Sequence, residues 1–163
     1  MMLTKLATTR ILWITFVLTI LMTLAFQYLA GIWSLALLDA MSDPATVRQT
    51  IAGMTDEQRL AHAWITGTLD VAYPLIYAAL FAGSAVKFFP TWGSRVAPVF
   101  GALVVIDLAE GLVQILALTT AVDWVGAKAL LTPVKTWLFL AGIFLTVAGW
   151  VTWLLQRLRR SST

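Results

Sequence analysis

ILWITFVLTILMTLAFQYLAGIWSLALL, Ile11–Leu38, is a run of 28 residues without one charged side chain. Crossing the hydrocarbon core of a bilayer takes about 20 helical residues, so this run is long enough to span with some tilt. Lys5 and Arg10 precede it, as in a secretory leader. The apolar region of such a leader is only about 7–15 residues long, so the run is expected to remain as a span. Three further segments of the same kind follow, at about 61–86, 96–120 and 130–155. Backbone polar groups in lipid must be satisfied inside their own segment, which selects helices. The expected fold is therefore all-α: a single transmembrane domain over 1–163, built as a four-helix bundle with a connection over 39–60.

Composition agrees. Of 163 residues, 60% are hydrophobic and 12% charged, against about 45–50% and about 25% in soluble domains. A soluble or disordered chain is excluded. The absence of Cys removes disulfides, thiolate metal sites and cysteine nucleophiles, and a lone His cannot build a multi-histidine metal site. Nothing has the spacing of a phosphate loop or a nucleophile elbow. No metal and no cofactor are expected. The formal charge of +3 is modest, and no nucleic-acid partner is expected. Ala78, Ala82 and Ala141-Gly142 permit close helix contact; a homodimer stays open as an alternative to a monomer.

The distribution of Lys and Arg sets orientation. Lys5, Arg10, Lys87, Arg95, Arg157, Arg159 and Arg160 fall on one side of the four spans, and Arg48, Arg59 and Lys128 on the other. Seven against three places both termini in the cytoplasm. Asp39, Asp43, Asp56, Glu57 and Asp123 then face outward. Trp33, Trp64 and Trp124 mark the outer interface, and Trp13, Trp92, Trp150 and Trp153 the inner one. In the outer connection, Ser42-Asp43-Pro44 supplies a helix start and Gly53 a stop. Val47 and Ile51 make a narrow apolar stripe between them, so a short amphipathic helix is expected outside the membrane. Thr55-Asp-Glu-Gln58 reads as a capping box opening the second span.

The informative residues are those that lipid would reject. Asp70 falls about nine residues into the second span, near mid-membrane at about 1.5 Å per residue. Asp107 and Glu110 lie at similar depth in the third, and Lys135 in the outer half of the fourth. A lipid-facing charge at such depth costs about 2.5–3.5 kcal/mol on insertion scales, so these groups are expected to converge inside the bundle. Asp107, Glu110 and Gln114 share one helix face, and Asp70, Tyr73 and Tyr77 repeat that spacing. The first span contributes Gln27 and Tyr28. Three acids against one lysine cannot all ionise cheaply in a low-dielectric interior. One acid is expected to pair with Lys135 and another to stay protonated, able to donate a proton.

Leu69-Asp-Val-Ala-Tyr-Pro-Leu-Ile-Tyr77, followed by Asp107-Leu-Ala-Glu110, resembles small four-span bacterial membrane proteins of unassigned function. More distantly, the layout is similar to the emopamil-binding-protein (EXPERA-type) family of sterol isomerases and ligand receptors. That resemblance implies a bundle with an occluded pocket, in which acids bind an amine or protonate a sterol double bond. It makes Asp39 and Asp70 the matching acids. The reading reached from the sequence is a protein of the bacterial inner (plasma) membrane that holds a small hydrophobic ligand or lipid. Asp107 and Glu110 form its proton-sharing pair and Asp70 the facing carboxyl, with these three as catalytic candidates. Lys135, Tyr73, Tyr77, Gln114 and Gln27 are the ligand-binding candidates. One alternative is a non-catalytic assembly subunit whose buried charges are structural; another is a proton-coupled transporter working as an oligomer.

Overall fold

In a computed structural model describing residues 2–120 and 122–161 (side chains at 4–120 and 122–159), six α-helices and two 3₁₀ turns account for nearly the whole chain. The helices are α1 (Met2–Leu6), α2 (Thr9–Ile32), α3 (Pro44–Ala52), α4 (Asp56–Phe88), α5 (Gly93–Thr119) and α6 (Lys128–Ser161). Four of them, α2, α4, α5 and α6, are long and apolar enough to cross a membrane. They run alternately up and down. Of the tail arginines counted for orientation, Arg160 has its side chain outside the described set.

Local signals set most of the boundaries. Asp43 caps α3 by accepting from the Thr46 amide at 2.8 Å, and Pro44 occupies the first turn, where its missing N–H costs nothing. The Thr55–Gln58 capping box opens α4. That helix continues through Pro74 to Phe88. Two ends differ from expectation by about six residues: α6 runs on to Ser161 rather than about 155, and α2 stops at Ile32 rather than Leu38. Ser34 sits at φ 49°, in the left-handed region. The Leu35 amide bonds the Ala30 carbonyl at 2.8 Å and the Ser34 amide bonds Gly31 at 3.2 Å. This is the bond pattern of a Schellman cap with serine where glycine is usual, so no Gly or Pro announced the stop. Gln58 Nε2 donates to the Trp33 carbonyl and His62 Nε2 to the Ala36 carbonyl, both at 3.2 Å, which pins the released segment to α4.

The released segment turns inward. Leu38, fully buried, joins Val47, Ile51, Leu118 and Val125 in a small apolar cluster. The main core lies at the opposite end of the bundle. There Tyr77, Phe81, Phe100 and Leu103 pack with the alanines of α4, and Phe139 closes over them. α4 and α5 form the tightest pair. α2 packs along α4 and at most grazes the other long helices, although Trp13 meets Trp150 of α6 at 5.2 Å between ring centroids.

Candidate functional site

Where α2 and α6 diverge, a cavity of about 310 Å³ opens between them. α2 contributes Thr23, Phe26 and Gln27 to one wall, and α6 contributes Thr136, Phe139 and Leu140 to the other. Asp70, Tyr73 and Tyr77 of α4 and Asp107 of α5 form the back, and the turn carrying Leu37, Asp39 and Ala40 covers one end. The helical repeat explains the α4 set, since residues three and four apart share a face. Tyr73 is held by a 2.9 Å hydrogen bond with Thr23 of α2. Tyr28, in contrast, is exposed on the far side of α2.

Behind the cavity lies an ion network denser than the sequence suggested. Lys135 does not choose one acid. Its ammonium reaches Glu110 Oε2 at 2.5 Å, Asp107 Oδ1 at 3.1 Å and Asp39 Oδ1 at 3.2 Å. The Tyr77 hydroxyl donates to Asp107 Oδ2. Glu110 Oε1 accepts from both Lys128 and Thr132, and the Glu110 and Lys128 side chains are wholly buried. Lys128, Thr132 and Lys135 stand four and three apart, so one face of α6 carries all three.

Two residues therefore move from where the sequence put them. Lys128, counted with the connection, opens α6 and points into the bundle, because only there does its ammonium find Glu110. Asp39, expected to face outward, is carried back by the end of α2 and takes a 2.7 Å bond from Gln114. Burial works to raise the Asp39 carboxyl, but Lys135 beside it and the Gln114 amide outweigh this and hold it below the usual carboxylate range. Thr132 was missed altogether; its spacing from Lys128 and Lys135 was the only signal.

Of the eight residues singled out in the sequence, six line the cavity: Asp70, Asp107, Tyr73, Tyr77, Gln27 and Lys135. Glu110 and Gln114 sit behind it, anchoring Lys128 and Asp39. Asp70 differs from the other acids. It is 8% exposed, and its Oδ2 is buried with no hydrogen-bond partner. A carboxyl so placed can hold a proton, donate it, or meet a cation.

Comparison with protein-family models, curated proteins and solved structures finds no match for this chain. Fold and site define it as an all-helical bundle with four membrane-length helices and a polar cavity between two of them.

Proposed function

We propose that this protein spans a bacterial plasma membrane and holds a small hydrophobic ligand or lipid in the cavity between α2 and α6. The observation that carries the reading is the cavity itself: an aromatic and aliphatic wall with one unpartnered, buried carboxyl, Asp70, at its back. Ligand sites are commonly apolar with a few convergent polar groups. Because α2 packs mainly on α4, the α2–α6 seam offers a way in from the hydrocarbon. Asp70 and Asp107 are the groups placed to exchange a proton with the occupant, while Tyr73, Tyr77, Gln27 and Lys135 orient it. Glu110 and Gln114 anchor the ion network instead.

The experiment is mass spectrometry of small molecules that co-purify with the protein. Thr136→Trp, which fills the cavity and leaves every carboxylate in place, is expected to lose the bound species while melting like the wild type. A bound species retained at wild-type occupancy would sink the reading.

In this reading both termini are cytoplasmic. With Lys128 inside the bundle, seven basic residues on one side oppose Arg48 and Arg59 on the other, which follows the positive-inside rule. The helix α3 then lies outside the membrane, with Val47 and Ile51 turned toward the bundle. A cysteine at Thr46, in a chain with no other, is expected to react with an impermeant maleimide on intact cells. Reaction only after lysis would reverse the orientation.

A further inference from the structure

The ion network carries more negative charge than its lysines balance. Four carboxylates, Asp39, Asp70, Asp107 and Glu110, are met by two ammonium groups, Lys128 and Lys135. With every group ionised, two negative charges stand in excess in a low-dielectric interior, where such an excess is costly.

Three of the carboxylates converge. One oxygen from each of Asp39, Asp70 and Asp107 lies within 4.8 Å of the other two. Calcium holds its oxygen ligands at about 2.3–2.6 Å, so ligands on opposite sides of one ion stand up to about 5 Å apart. These separations match one such ion once the Lys135 ammonium draws back onto Glu110. Magnesium requires about 2.0–2.1 Å and a strict octahedron, a tighter demand on groups drawn from three separate elements. Asp70 is the observation that points to an occupant, being more than nine-tenths buried with an oxygen that nothing in the protein meets. Lys135 borders the place, and a seated ion takes over its contacts with Asp39 and Asp107. It is nearest Glu110, at 2.5 Å, and touches Asp39 and Asp107 through one oxygen each.

We propose that Asp39, Asp70 and Asp107 form a binding site for a hard divalent cation of the calcium type, completed by water in the cavity. Lys135 stays with Glu110 when the ion is seated, and Tyr77 steadies Asp107 from behind. Two positive charges would neutralise the excess. The site draws on the same aspartates as the proposed ligand site but does not depend on the ligand, since the ion meets only the carboxylates. With the ion seated, Asp70 and Asp107 are ionised and exchange no proton.

The test uses purified protein in detergent, stripped with a chelator and titrated with calcium chloride or magnesium chloride in a calorimeter, with melting temperature followed alongside. The wild type is expected to show one saturable site that prefers calcium. Its melting temperature should rise with calcium, because an ion that binds only the folded state stabilises it. Asp70→Asn is expected to lose the saturable heat while melting no lower than the stripped wild type. Tyr77→Phe, which removes only the support behind Asp107, should weaken binding about tenfold, as loss of an outer-shell partner does. Absence of saturable calcium binding in the wild type overturns the proposal, and this titration needs no variant to fold. Calcium binding that survives Asp70→Asn at wild-type affinity overturns it as well. Calcium is read as heat and the hydrophobic ligand by mass, so the two readings fail separately.

Discussion

The two ends of the bundle are built from the same long helices by opposite means. At the end where α4 begins, the interior is a network of ions: Glu110 with Lys128, and Lys135 among Glu110, Asp107 and Asp39. At the end where α4 finishes, the interior is rings against small residues. Gly142 backs onto Phe81, Gly149 onto Phe88, and Trp150 packs between Phe88, edge to face, and Trp13. In lipid there is little hydrophobic drive to bring helices together, so packing contacts and polar bonds must do it. The aromatic end uses the first and the ionic end the second. The two ends therefore tolerate change differently. An apolar interface suffers in proportion to the misfit introduced, whereas an ionic one fails when a single partner leaves the other buried.

The sharpest break in that comparison comes from Glu110. Replacing Glu110 with Leu leaves Lys128 as a fully buried ammonium without its acid, which is expected to cost about 3–5 kcal/mol. Adding Lys128→Met should recover most of that loss, because an apolar pair can replace a buried ion pair at little cost. Denaturant or thermal unfolding in detergent, run as a double-mutant cycle, measures the coupling. Costs that simply add would mean that the two residues do not stabilise each other.

A smaller effect is expected at the other end. A Cβ at Gly142 would overlap the Phe81 ring, so Gly142→Ala should cost about 1–3 kcal/mol through overpacking. Phe81→Leu in the same chain should relieve part of the clash, since the ring is what the methyl group meets. The same unfolding assay reads it. A Gly142→Ala variant as stable as the wild type would show that the aromatic end is looser than its contacts imply.

Much of this architecture was legible without coordinates. Four apolar runs and the caps at Asp43 and Thr55 follow from composition and local chemistry, which act over a few residues. The faces of α4 and α5 were legible too, because Asp70, Tyr73 and Tyr77, like Asp107, Glu110 and Gln114, are placed by helical repeat alone. The end of α2 was not, because serine at a left-handed cap gives no warning and the run of apolar residues continues past it.

From sequence alone, then, come the four membrane-length helices and the presence of buried carboxylates on two of them, since length, apolarity and helical period need no knowledge of neighbours. Which charges meet depends instead on how the helices pack. Asp39 enters because Gln58 and His62 pin the chain after α2 against α4. Lys128 is interior because α6 starts there with Glu110 of α5 opposite it. Asp70 is left without a partner because Lys135 is drawn to the other three acids. Ion pairing depends on distances between residues tens of positions apart, which the packing of helices sets and no local pattern records.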